Sequence, residues 1–146
     1  MLDTQEEDVL EKMNDLVEKL KESKRQLETT RMKLFEITIP TLKPAISVEN
    51  APVYAVEFEN IEPDELRKAY DVAKKKLVSG IIIFVSKVVN GEFVIVGKLS
   101  DDAPSAIEIF RKVSKVLNLK GGGSERLAQG SSNEKHSINE FLRILG

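Results

Sequence analysis

The chain has 146 residues, of which 41% are apolar and 32% charged, and a formal net charge of −2. This length suits one domain, the apolar share excludes disorder of the whole chain, and the high charged share points to long solvated helices. There is no cysteine, which excludes a disulfide framework, a thiol nucleophile and a cysteine-ligated zinc site, and the nearly neutral charge confines any nucleic-acid contact to a local basic patch.

The N-terminal stretch Met1-Leu2-Asp3-Thr4-Gln5-Glu6-Glu7-Asp8 is acidic, where a signal peptide is basic and then apolar. The longest apolar run, Ile81-Ile82-Ile83-Phe84-Val85, is far short of the roughly 20 residues of a membrane span and reads as a buried strand. A cytoplasmic protein with no membrane partner is expected.

Thr4 followed by Glu7 fits a capping box, so a helix should start there. A heptad reading places Leu10, Val17, Lys24 and Arg31 at one core position and Met13, Leu20, Leu27 and Leu34 at the other. From Gln5 to about Ile37 such a helix is roughly 50 Å long at 1.5 Å per residue, too long to be buried in so small a domain, and is expected to project. Leu16 widens the apolar stripe of the first half, whereas Lys24 and Arg31 interrupt the second. The residues expected to dimerise are therefore Leu10, Met13, Leu16, Val17, Leu20 and Leu27. A parallel pair would set Lys24 on Lys24 and Arg31 on Arg31, which favours an antiparallel pair or a helical hairpin. Packing of the helix on the chain's own domain is the competing reading.

Pro40 should end this helix, because the residue before proline avoids the helical region. Residues 38–51, with Pro44, read as an irregular hinge in which Leu42, Ile46 and Val48 still want contacts. Residues 1–51 thus form a helical subdomain with its hinge, and residues 52–146 a globular α/β domain. In chain order the globular part reads as a strand over Val53–Phe58, a helix over Pro63–Leu77, strands over Gly80–Ser86 and Glu92–Leu99, and a helix over Pro104–Leu117. A last helix is expected over about Glu134–Leu145. Asn90-Gly91 signals a tight hairpin, and a helix between the first two strands predicts a mixed sheet. The expected fold is α/β (α+β): a long N-terminal amphipathic, coiled-coil-like helix, then a small mixed sheet packed with helices.

Residues for chemistry are scarce. The one histidine, His136, sits in a polar stretch and reads as a solvated helix-terminus residue, not as part of a triad. Asp101 and Asp102 fit helix capping better than a cation site. Neither catalytic residues, nor metal ligands, nor a cofactor site are expected.

One segment resists a packing explanation: Leu119-Lys120-Gly121-Gly122-Gly123-Ser124-Glu125-Arg126-Leu127-Ala128-Gln129-Gly130-Ser131-Ser132-Asn133. Consecutive glycines are costly to order and are expected where positive φ or close approach of a ligand is needed. Read as a loop, their N–H groups can form an anion-binding nest flanked by Lys120 and Arg126. No Gly-Lys-Ser/Thr follows, so the P-loop pattern and nucleotide hydrolysis are not supported. A lengthened glycine helix cap is the competing reading.

Gly121-Gly122-Gly123 followed by Ala128-Gln129-Gly130 resembles the glycine-rich signature of the DHH-associated domain. That domain is the C-terminal domain of alanyl-tRNA synthetases and the substrate-binding domain of DHH phosphoesterases. The resemblance covers Pro52–Leu145 in element order, and the long helix before it is similar to the helical subdomain of the synthetases. Ser124 stands where the phosphoesterases usually place a histidine, which favours the synthetase branch. The synthetases often continue with Arg-Pro, so Arg126 is a displaced counterpart of their arginine. The heptad helix and the lack of an extra glycine run point to an archaeal type. The resemblance implies a non-catalytic C-terminal piece of an alanine–tRNA ligase that binds the outer corner of tRNA, dimerises the enzyme and presents tRNA for aminoacylation and editing. Its expected tRNA-binding residues are Lys120, Gly121, Gly122, Gly123, Ser124, Arg126 and Gln129. The expected partners are tRNA, a second copy through the N-terminal helix, and catalytic and editing domains of the same polypeptide. The alternatives are the substrate-binding domain of a DHH phosphoesterase, taking oligonucleotides or cyclic dinucleotides, and a structural coiled-coil adaptor.

Overall fold

The computed structural model describes the backbone of residues 4–146 and the side chains of residues 6–146. The expected Thr4 cap lies outside the described side chains. The chain divides into two compact units, residues 1–34 and 35–146, and each is taken by itself.

The first unit is helical. Helix α1 runs over Thr4–Thr38, with Glu6 and Glu7 in its first turn, where carboxylates complement the positive end of the helix dipole. Leu10, Met13, Leu16, Val17, Leu20 and Leu27 are between 48% and 70% exposed. These apolar residues lie outside the core.

The second unit begins at Phe35. A 3-10 turn over Ile39–Thr41 carries Pro40 in its first turn and ends the helical run. The expected hinge contains a strand that local signals missed: β1, Ile46–Val48, pairs antiparallel with β2, Ala51–Glu59. Glu49 and Asn50 adopt positive φ to close that hairpin. Helix α2, Pro63–Lys76, starts with proline at its first position, where the missing N–H costs no bond. It buries Leu66, Ala69, Tyr70 and Ala73, with Leu77 just beyond its end. Strands β3, Ile81–Val88, and β4, Gly91–Lys98, form the hairpin announced by Asn90-Gly91. Helix α3 is Ala106–Leu117, with Ser105 at the N-cap position but no side-chain cap bond, and Asp101 and Asp102 lie in the turn before it and do not cap it.

Two strands replace the expected loop. Lys120–Gly123 is β5 and Leu127–Ser132 is β6, an antiparallel pair. The final helix α4 is Ile138–Leu145, shorter than expected. Its start is set by a capping box between Ser137 and Glu140.

The sheet order is β1-β2-β3-β4-β6-β5, with β2 and β3 parallel and the other pairs antiparallel. This is the mixed, helix-packed α+β arrangement the sequence predicts. Because side chains alternate along a strand, Ile81, Ile83 and Val85 face the core shared with Ile109, Phe110 and Val113 of α3 and Phe141 of α4. Ile82 and Phe84 face the other side, where Phe84 meets Phe58, and Phe58 in turn meets Phe35 with ring centroids 5.5 Å apart. Helices thus cover both faces. Tyr70 of α2 lies over Gly97, where any Cβ would overlap the ring. Its hydroxyl donates to the Lys98 carbonyl at 2.7 Å and the Arg126 carbonyl at 3.2 Å.

The expected solvated histidine is buried. His136 is 9% exposed and Glu92 is 1% exposed. His136 Nδ1 pairs with Glu92 Oε1, and the His136 backbone N–H donates to Glu92 Oε2 at 3.0 Å. The polar stretch before α4 is held extended by this carboxylate, which is why the helix starts at Ile138 and not at Glu134. A carboxylate in the interior must be paired. The only histidine of the chain is its partner.

Candidate functional site

The glycine strand forms an edge of the sheet. Lys120, Gly121, Gly122 and Gly123 are all exposed. Its backbone directions follow from antiparallel alternation. The Ser124 N–H donates to the Leu127 carbonyl at 2.8 Å and the Lys98 N–H to the Arg126 carbonyl at 2.9 Å. With the registers Gly122↔Gln129 and Lys120↔Ser131, Gly122 and Lys120 bond inward to β6. Gly121 and Gly123 turn their N–H and C=O groups away from the sheet. The result is a row of outward backbone donors and acceptors on an extended edge, not the curved nest expected of a loop.

The three glycines differ in what they permit. A Cβ at Gly121 or Gly123 would run into the β6 backbone, at the Gln129 and Leu127 carbonyls respectively, whereas a Cβ at Gly122 meets nothing within 4 Å. Glycine at 121 and 123 is thus a packing requirement. At 122 it keeps a surface open. Gly130 is a packing glycine too, because the Phe110 ring occupies the place of its side chain.

The hairpin tip is held firmly. The Ala106 N–H at the start of α3 donates to the Glu125 carbonyl at 2.7 Å, and Lys98 Nζ donates to Glu125 Oε1 at 2.8 Å. The Lys98 side chain is 8% exposed and that of Glu125 is 69% exposed. The hydrogen bond from Lys98, then its charge, hold the Glu125 carboxyl below its ordinary 4.5. A carboxyl with a depressed folded-state pKa contributes stability above its unfolded value and loses it as pH falls through the folded value. Glu125→Gln is therefore expected to flatten the decline of stability below pH ~4.5, read from urea midpoints across acid pH. An unchanged acid limb would reject this pair as a contributor.

Of the expected site residues, the fold brings Lys120, Gly121, Gly122 and Gly123 together on β5, with Gln129 opposite Gly122 on β6. Ser124 lies in the hairpin turn, its Oγ near the Leu127 carbonyl and N–H. Arg126 lies at the tip, 72% exposed and 3.7 Å from Asp101. Lys120 and Arg126 flank the glycine strand from its two ends and do not converge on one point. Sequence reasoning missed a groove of about 270 Å³ beside this strand, lined by Pro63, Arg67, Phe93, Gln129 and Ser131. Phe93, Gln129 and Ser131 share a sheet face only through the β4–β6 and β5–β6 registers. No local pattern announces that. Among the described residues there is no group of three His, Cys, Asp or Glu that would hold a metal ion, and no helix is long and apolar enough to cross a membrane.

Residues 50–146 match the DHHA1 domain family. The alanine–tRNA ligase of Alkaliphilus oremlandii is 33% identical to this chain over 147 residues, covering 97% of the chain and 16% of the ligase. That of Staphylococcus epidermidis is 29% identical over 140 residues, covering 94% of the chain and 16% of the ligase. The chain thus spans about 16% of the length of these curated relatives. Among solved structures, the C-Ala domain from Aquifex aeolicus alanyl-tRNA synthetase superposes with a TM-score of 0.61 at 27% identity, covering 71% of this chain and 98% of that one.

Proposed function

The chain belongs to the DHHA1 domain family, and on that basis we propose that it is the C-terminal tRNA-binding and dimerisation unit of an alanine–tRNA ligase. In this reading it works in the cytoplasm and performs no chemistry of its own. Aminoacylation and editing belong to other domains of the same polypeptide, for which it positions tRNA. The observation that carries the binding role is the exposed glycine edge strand. Its outward N–H and C=O groups, unscreened by side chains, suit the phosphates, 2′-hydroxyls and unstacked bases by which folded RNA is read. Lys120 and Arg126 at its two ends supply local positive charge beside the strand, in a chain whose net charge is −2.

Gel-shift titration against intact tRNA and against a minihelix lacking the corner tests the reading. Preference for intact tRNA is expected, and equal affinity for both would refute corner recognition. Few cations take part, so affinity should fall gently with salt. Lys120→Ala with Arg126→Ala should lower the log–log salt slope by about 0.7 to 0.9 for each phosphate that is no longer neutralised. A double variant with the wild-type slope would remove these side chains from the interface.

The dimerisation role rests on the exposed stripe of α1. Burying one leucine contributes about 1.5 to 3 kcal/mol, so Leu20→Asp should convert a light-scattering dimer into a monomer at tens of micromolar. A wild-type monomer mass, or a variant that stays fully dimeric, would defeat this role.

A further inference from the structure

Two patterns coincide on α1. The exposed apolar stripe of Leu10, Met13, Leu16, Val17 and Leu20 lies in its first half, and the charges along the helix are segregated. Residues 6–18 hold six carboxylates and one lysine, whereas residues 19–31 hold five cations and two carboxylates. A parallel pair of such helices would set acid against acid and base against base. An antiparallel pair sets each acidic half against a basic half, at an interaxial distance of about 8–10 Å, comparable to the Debye length of about 8 Å at physiological salt, so that the attraction is only partly screened.

We propose that α1 pairs with α1 of a second copy in antiparallel orientation, about a two-fold axis between Glu18 and Lys19. This rests on the dimerisation reading above and adds its orientation and register. The second copy is the partner because the two halves of this one helix complement each other. A two-fold axis uses that complementarity twice. In this register Leu10 lies opposite Leu27 of the second copy and Val17 opposite its Leu20, so apolar positions meet at the centre of the pair and toward both of its ends. Met13 lies opposite Lys24 of the second copy. The lysine stem can pack along the methionine while its ammonium reaches out toward the carboxylate-rich half. The repulsion of Lys24 on Lys24 and Arg31 on Arg31 is avoided.

The chain has no cysteine, so Glu28→Cys in the full chain accepts a single spin label. In the antiparallel register the two positions are offset along the axis by roughly 28 Å at 1.5 Å per residue, whereas in a parallel pair the backbones are about 10 Å apart. Light scattering on the same samples reports mass. A dimer with label distances near 30 Å is the expected result. A dimer with distances below about 20 Å overturns the orientation and leaves the dimerisation reading standing, and a monomer overturns both. In addition, Glu11→Lys with Glu18→Lys, and separately Lys24→Glu with Arg25→Glu, should each weaken self-association at least tenfold, about 1.4 kcal/mol, with helicity retained. Mixing the two variants should restore a heterodimer. Failure of the mixture to associate would overturn the matching of acidic and basic halves.

Discussion

His136→Ala is expected to cost about 3 to 5 kcal/mol of unfolding free energy, a fall in melting temperature on the order of 10 °C for a chain of this size. The Glu92 carboxylate is 1% exposed, and His136 supplies it with both a ring nitrogen and a backbone N–H. Alanine keeps the backbone bond and removes the ring, leaving a buried acceptor without its side-chain partner. The imidazole also packs edge-on to Phe141, with ring centroids 6.3 Å apart, so the change loosens α4 as well. Glu92→Gln retains the shape and one acceptor and should cost less. Denaturant unfolding at fixed chain concentration separates this from any shift in association. A loss below ~1 kcal/mol for His136→Ala would show that the pair holds nothing together.

Gly122→Val is expected to reduce tRNA affinity at least tenfold, about 1.4 kcal/mol, with an unchanged circular-dichroism spectrum and oligomeric mass. The structural warrant is that a Cβ at 122 meets open space, and that a β-branched residue suits an extended strand. The valine would stand on the surface assigned to RNA while the hairpin beneath keeps its bonds. Gly123→Ala supplies the contrast, because its Cβ would meet the Leu127 carbonyl and Ala128 Cα. That change should lower stability and disturb binding only through the fold. If Gly122→Val binds tRNA as the wild type does, the glycine strand is not the contact surface. An unfolded Gly122→Val chain would show that the space above Gly122 is not open.

Local patterns carried far where one physical cause dominated. Pro63 and the spacing of Leu66, Tyr70, Ala73 and Leu77 placed α2, because periodic apolar residues leave a helix only one face to bury. Asn90-Gly91 placed the β3–β4 hairpin, because its turn needs residues that tolerate unusual φ. Ile81–Val85 read as a buried strand, and both faces of β3 are indeed covered by helices. The candidate binding residues were found by their glycine content alone. Their geometry was not: the segment read as a loop, since glycines have low strand propensity and show no alternation of polar and apolar side chains.

The helices, the central hairpin and the unusual glycine run were therefore legible in the amino-acid order alone, because each arises from interactions within a few residues. The mixed sheet followed from their succession. Pairings that join distant segments exist only in the folded chain. β6 becomes a strand because the open edge of β4 offers unpaired backbone groups, and β5 follows because β6 in turn presents an edge, with Phe110 seated against Gly130. His136 is buried because a carboxylate 44 residues earlier in the chain needs a partner in the interior. Neither outcome is encoded in local propensity: the strand pairing follows from the hydrogen-bond partners that a free sheet edge offers, and the burial of His136 from the cost of leaving an interior carboxylate unpaired.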